Sequence, residues 1–526
     1  MTAMTASRTR RLLAGVSVGY LNTIVVMVVG LWLTPYLLRH LDQHDYGLWL
    51  VCAQMLFYLS LTDVGVVALL PREVAFTTGR GGATRHDDLR QLIGGTTRLV
   101  FWQLPIVAVL SFALWWIVAA RWPDLAGPFA VVAVTFVVAF PLRVPHAVLQ
   151  GLQDLGFLGG TQMAAWAGGT LVTIALVEAR WRIPALAAGW VTTLLLGAGL
   201  AWWGLRRRHP EALPQTLPAL SMATAQQQLG RGVWISVSQI AQVMLNGTDL
   251  LVIGAVLGPS AVVPYVCTGK LVTILTNQPQ LFMQAAIPAL SELRTSAPRE
   301  HVIRVSTSLT QLLLLCSGAM VCVVLAVNDA FVSWWVGPAN YAGGGLTALL
   351  LLVMLVRHWN ASMGYSLFCF GYERRLALTA IGDGVLSLAA MLILVPRLGL
   401  LGAAIGALVG TLVISLPFNV AALAREEGVT IAMTLRPLWS WFVRFALISG
   451  AVILARAWWP LAGVVPGLVA GAIVTAVYTV VMTPVLVRPP LGAMLAPRVK
   501  PWLMLIPGFS QCLEATRRRA ASQAEV

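Results

Sequence analysis

The stretch Tyr46–Glu73, YGLWLVCAQMLFYLSLTDVGVVALLPRE, decides the solvent of this chain. From Tyr46 to Leu70 it holds one carboxylate, Asp63, and no basic residue. A run of about 20 predominantly apolar residues is what an α-helix needs to cross the hydrocarbon of a bilayer. A carboxylate near the middle of such a helix costs roughly 2.5–3.5 kcal/mol on insertion scales, so Asp63 is a candidate for function. Pro71-Arg72-Glu73 is expected to close the span.

The rest of the chain reads the same way. Of 526 residues 58% are hydrophobic and 10% charged, against about 25% charged in soluble domains. The chain is therefore expected to be an all-α polytopic membrane protein. About 14 spans are counted, near 13–38, 46–70, 93–120, 125–149, 156–179, 184–205, 229–257, 262–290, 304–328, 343–369, 375–395, 399–423, 437–458 and 462–487. The first run follows Arg8, Arg10 and Arg11 and is too long for a signal peptide. The six cysteines are scattered through apolar stretches and read as small hydrophobes.

The formal charge of +15 is explained by topology. With the N-terminus inside, basic residues on cytoplasmic segments outnumber external ones by about 25 to 6, a strong positive-inside bias. Arg206-Arg207-Arg208, Arg374-Arg375 and Arg517-Arg518-Arg519 are the densest inner groups. Both termini are expected in the cytoplasm, and no nucleic-acid partner is expected. The inner connections are too short to fold as soluble domains.

Landmarks recur at an offset of about 216–220 positions. LDQHDYGLW at Leu41–Trp49 corresponds to LGPSAVVPY at Leu257–Tyr265, and Pro71 to Pro288. LQGLQDL from Leu149 corresponds to FCFGYERR ending at Arg375, and PALAAGW from Pro184 to LLGAAIG from Leu400. These pairs divide the chain into a tail 1–12, an N-lobe 13–205, a linker 206–228 and a C-lobe 229–424. Two extra helices at 437–487 and a basic tail 488–526 complete it. Six helices per half make the repeats parallel, which leaves room for a cavity between them. Gly402, Gly406 and Gly410, and likewise Gly463, Gly467 and Gly471, have the spacing that lets helix backbones approach.

Charges within spans are Asp63, Arg143, Asp249, Lys270, Arg357, Asp383 and Arg444, with Arg72 and Arg98 nearer the inner face. Steps of three and four place Gln239, Gln242, Asn246 and Asp249 on one helix face, and Lys270, Asn277 and Gln280 on another. Arg143, His146, Gln150 and Gln153 form a third line, and Arg357 and Asn360 add to the set. Stripes of this kind imply a wet cavity with a cationic bias. Asp63 and Asp249 are the candidates for a counter-charge or coupling role, Asp63 in exchange with Lys270.

Other signatures fail. Gly15–Gly19 matches GxSxG, but within a span rather than a strand-turn-helix. Asn246-Gly247-Thr248 matches a glycosylation acceptor at membrane depth. Neither a GxxxxGK[ST] phosphate loop nor a metal-spaced cluster occurs, so no cofactor, metal or catalytic residue is expected.

Asp45-Tyr46-Gly47-Leu48-Trp49, Leu61-Thr62-Asp63-Val64-Gly65 and Pro71-Arg72-Glu73 resemble the polysaccharide transporter family. These are the Wzx-type flippases of the multidrug/oligosaccharidyl-lipid/polysaccharide exporter superfamily. Asp42 stands where that family has glycine, and Thr62 where it has leucine. The resemblance implies translocation of a polyprenyl-pyrophosphate-linked oligosaccharide across a bacterial inner membrane by alternating access. It also implies membrane lipids, and a polysaccharide polymerase or other assembly proteins, as partners. Substrate contacts are expected from Arg72, Arg98, Arg143, His146, Gln239, Gln242, Asn246, Lys270, Asn277, Gln280, Arg357 and Asn360. The alternatives are a cation-coupled drug antiporter of the same superfamily and a membrane enzyme, polymerase or ligase, acting on lipid-linked glycans.

Overall fold

A computed structural model describes residues 22, 24–63, 65–80, 85–214, 217, 222–276, 278–279, 283, 290, 293, 298–459 and 463–492. The side chains of 63, 80, 85, 222–229, 231–236, 238 and 246 are outside this description. The helices in chain order begin with α1 Ile24–His40, α2 Gln43–Leu59, α3 Val66–Arg80, α4 Arg85–Arg121 and α5 Pro123–Ala139. Next come α6 Arg143–Gly151, α7 Leu155–Glu178, α8 Arg182–Arg208, α9 Met222–Val256 and α10 Val262–Thr268. The series continues with α11 Arg299–Val336, α12 Gly344–Cys369, α13 Glu373–Leu398, α14 Leu400–Gly410, α15 Leu416–Glu427, α16 Ile431–Trp458 and α17 Val464–Val487.

Among the described residues ten helical segments are long and apolar enough to cross a membrane, or up to 12 if each of two bent pairs is one span. Asn22 and α1 supply the described part of the first expected span. Much of the eighth, 262–290, lies outside the described residues. The surface is apolar where lipid would meet it: Val109 and Leu171 are each 67% exposed and Val480 72%.

Two expectations are corrected. Spans 46–70 and 229–257 are not single straight helices. The first bends by 54° between Gln43–Thr62 and Val66–Gly79, the second by 49° at Leu245–Gly247. In the first, Ser60–Asp63 tightens into a 3₁₀ turn and Gly65 takes φ 69°, a conformation only glycine adopts without strain. Pro71 does not close the span either, since α3 continues past it to Arg80. The chain has already broken at Asp63–Gly65, and Pro71 falls just over one turn into the new helix.

The chain divides into two compact units. One comprises Met1–Cys267, Trp335–Ala342 and Ala377–Gly410; the other comprises Thr268–Trp334, Gly343–Leu376 and Thr411–Val526. In the first unit the two landmarks paired by the repeat, α2 and the 3₁₀ turn Pro259–Ala261, pack directly on each other. A Cβ on Gly47 would stand 2.0 Å from the Pro259 carbonyl oxygen. The glycine row of α14 lies flat on α13. Cβ atoms at Gly402, Gly406 and Gly410 would meet Leu394, Met391 and Asp383 at 2.4–2.5 Å, the close approach its spacing predicts.

In the second unit Trp441 is fully buried. It stacks on Phe445 at 5.0 Å and meets Phe442 edge-on at 5.0 Å. Its indole N–H donates to the Tyr478 hydroxyl at 3.3 Å, which donates to the Leu315 carbonyl at 2.9 Å. α16 and α17 are thereby fastened to α11. Gly467 and Gly471 face Ala330 and Val327 of α11, so the second glycine row also serves packing.

Candidate functional site

The site grows out of the broken second span. A helix that stops in mid-membrane leaves carbonyls without intrahelical partners, and each must be satisfied from elsewhere. The Ser60 hydroxyl donates to the Phe57 carbonyl at 2.6 Å and the Thr62 hydroxyl to the Leu59 carbonyl at 2.7 Å. The Ser60 carbonyl is served from another helix: Arg143 Nη1 donates to it at 3.2 Å. Asp63 ends this same turn.

Arg143 is placed by a second irregularity. α5 tightens into the 3₁₀ turn Phe140–Leu142 before α6 starts at Arg143. The guanidinium carbon lies 5.4 Å from the centre of the Phe140 ring, within cation–π range. His146 follows one turn later on the same face. Both line a cavity of about 380 Å³, with Asn22 and Val26 of the first span, Thr161, Gln162 and Trp166 of α7, and Thr193 and Leu194 of α8.

Among the described residues the lining is one-sided in charge: it has an arginine and a histidine and no carboxylate. The Asn22 side-chain oxygen is buried without a hydrogen-bond partner among the described residues, a costly state in a protein alone. The Thr161 and Thr193 hydroxyls donate to Leu158 and Gly189 carbonyls in their own helices, which leaves their lone pairs as acceptors. The cavity can hold an anionic group at Arg143, hydrogen-bond hydroxyls at Asn22, Gln162 and the threonines, and offer the Trp166 ring as an apolar wall.

Of the residues expected from sequence, Arg143 and His146 are brought together here. Gln150 is exposed and Gln153 leaves the helix at φ 61°, so the line of four stops after two. Arg72 is exposed on α3, 5.3 Å from the Phe76 ring. Arg98 is half-buried in α4, Gln239 half-buried and Gln242 exposed in α9; none of them lines this cavity. Asp249 accepts from the Tyr265 hydroxyl at 2.8 Å and the Leu250 N–H at 3.0 Å. Lys270, Arg357 and Asn360 are half-buried in the second unit, where the Asn360 side-chain oxygen accepts from Asn419 at 2.8 Å. Asn277, Gln280 and the side chains of Asp63 and Asn246 lie outside the described residues, as do Gly15–Gly19.

The sequence reading missed Asn22, Thr161, Gln162, Trp166 and Thr193. Their signal was faint but present: Asn22 is an amide in an apolar run, and Gln162 and Trp166 are one turn apart. A search led by charge passes over neutral groups of this kind.

Residues 96–339 match the family described as polysaccharide biosynthesis protein. No curated protein matches in sequence. Among solved structures the chain is similar to the lipid II flippase MurJ in an inward closed conformation. That match has TM-score 0.61 and 9% identity, over 89% of this chain and 99% of that one. It is also similar to an inward-facing multidrug resistance MATE family transporter of the MOP superfamily. Here the TM-score is 0.54 and the identity 13%, over 80% of this chain and 99% of that one. At these identities the structures establish a shared fold. The family match covers the middle of the chain, and the fold match covers most of it.

Proposed function

We propose that the protein is a flippase that moves a polyprenyl-pyrophosphate-linked oligosaccharide from the inner to the outer leaflet of a bacterial inner membrane by alternating access. The observation that carries this reading is a cavity lined by Arg143 and His146, with no carboxylate among its described lining residues. An arginine in a low-dielectric wall suits a phosphate, and the amides and hydroxyls around it suit sugar hydroxyls. Among the described lining residues a cationic drug would find no counter-charge. Sugars and phosphates cannot cross about 30 Å of hydrocarbon unaided, whereas the polyprenyl tail can stay in lipid throughout.

In this reading both termini are cytoplasmic, the halves 13–205 and 229–424 move against each other, and an assembly protein such as a polymerase takes the product. The protein is a carrier rather than an enzyme. Arg72, Arg98, Gln239, Gln242, Lys270, Arg357 and Asn360 remain substrate contacts by proposal, and Asp63 or Asp249 the coupling group. The test is transfer of a fluorescent polyprenyl-pyrophosphate oligosaccharide in vesicles holding the purified protein. Outer-leaflet appearance of the glycolipid under an imposed pH gradient is expected; movement of cationic dyes with no glycolipid transfer would place the protein with the drug antiporters.

A further inference from the structure

At the His40 end of α1 three aromatic rings stand in a column. Trp32, Tyr36 and His40 follow at intervals of four, one above another on one helix face. The Trp32 and Tyr36 rings stack with centres 5.4 Å apart and planes within 15°. Those of Tyr36 and His40 are 4.4 Å apart. Stacking covers the faces the rings turn to each other, so the column offers its end faces and ring edges. Trp32 is 53% exposed, so its free face is open.

The polar edge of this column is built by α7. The Tyr36 hydroxyl donates to Glu178 Oε1 at 2.8 Å. His40 Nδ1 donates to the Tyr36 carbonyl at 2.8 Å, which turns Nε2 toward the same Glu178 oxygen at 3.7 Å. The Glu178 side chain is 61% exposed, so it keeps acceptor capacity for further donors. Stacked rings beside an open carboxylate are what a saccharide needs: its C–H face lies on an aromatic face, and its hydroxyls donate to the carboxylate.

We propose that Trp32, Tyr36, His40 and Glu178 form a saccharide-binding platform, which receives the sugar rings of the substrate at the outer end of the first unit. The proposal rests on the oligosaccharide reading above and adds a second subsite to it, distinct from the cavity at Arg143. The arginine asymmetry of the connections places this end outside, where a headgroup arrives after translocation. A plain interfacial anchor looks different. Trp458 and Trp459, 81% and 77% exposed, have no ring partner among the described residues.

The experiment is saturation-transfer NMR on the full-length protein in detergent. The probe is the water-soluble oligosaccharide pool released by mild acid from the lipid-linked glycans of the source cell's membranes. Transfer to sugar C–H protons is expected in the wild type and in Trp458→Leu. It should fall about fivefold, roughly 1 kcal/mol, in Trp32→Leu and in Glu178→Gln. Trp32→Phe, which keeps an aromatic face and guards against a folding defect, should retain most of the signal. Glycolipid transfer by the wild type in vesicles tests the oligosaccharide reading by itself, so that its failure and failure of the platform are read separately. No transfer in the wild type, or equal transfer in wild type and Trp32→Leu, would overturn the platform.

Discussion

Arg182 Nε lies 2.7 Å from Asp45 Oδ2, and Arg182 Nη2 lies 2.9 Å from Asp42 Oδ2. One arginine at the start of α8 thus holds both acids of the LDQHDYG stretch. The contact to Asp45 is close but off the line of a hydrogen bond, so it acts as an ion pair. Asp45 is 4% exposed, and a carboxylate at that depth needs its counter-ion. The stretch that gave the family resemblance is therefore a structural clasp: Asp45 is paired, Tyr46 is buried, and Gly47 lies on Pro259.

Arg182→Ala should destabilise the protein by about 1–3 kcal/mol, the cost of leaving a buried polar group unmatched. Arg182 is itself exposed, which keeps the expected value in the lower part of that range. Thermal unfolding in detergent reads this directly. An Asp45→Asn background should recover part of the loss, and additive losses would argue against the pair.

Gly47→Ala and Gly410→Ala should each lower the unfolding temperature. The new Cβ would meet the Pro259 carbonyl oxygen at 2.0 Å in the first, and Ser387 Oγ at 2.2 Å in the second. Overpacking of this kind costs about 1–3 kcal/mol. Gly160→Ala is the control: nothing lies within 4 Å of its Cβ position. It should leave stability unchanged or raise it by up to about 1 kcal/mol through helix propensity.

Asp63→Asn should reduce pH-gradient-driven glycolipid transfer at least about tenfold, with normal insertion into the membrane. Asp63 closes the 3₁₀ turn whose Ser60 carbonyl is bound by Arg143, which ties this turn to the cavity wall. Asp249→Asn, at a carboxylate held by Tyr265 and Leu250, should change transfer by less than about threefold. The reverse order would assign the coupling role to Asp249.

The all-helical fold was legible because bilayer physics leaves little choice: apolar runs of sufficient length must be helices. The glycine row at Gly402, Gly406 and Gly410 was legible for the same reason, as spacing translates directly into a helix face. The break at Asp63–Gly65 was not, because an interrupted span has the same composition as a continuous one. Pro71, the loudest local signal, pointed to the wrong place. At the site, Arg143 and His146 announced themselves as costly groups in an apolar run. Asn22 and Gln162 cost less to insert and were passed over. Only the folded structure, in which α7 and α8 pack against α6 and Asn22 lines the same space, shows that they share a cavity.

The measurement that tests the account most directly compares wild type with Arg143→Gln in reconstituted vesicles, using two fluorescent glycolipids. One carries a pyrophosphate between polyprenyl and sugar; the other replaces it with a neutral linker. The wild type should move the pyrophosphate-linked form about 10–100-fold faster, the worth of one charge-assisted contact of roughly 1.5–3 kcal/mol. Arg143→Gln should erase most of that preference while inserting normally. Equal preference in wild type and variant would contradict an anion-binding cavity built around Arg143.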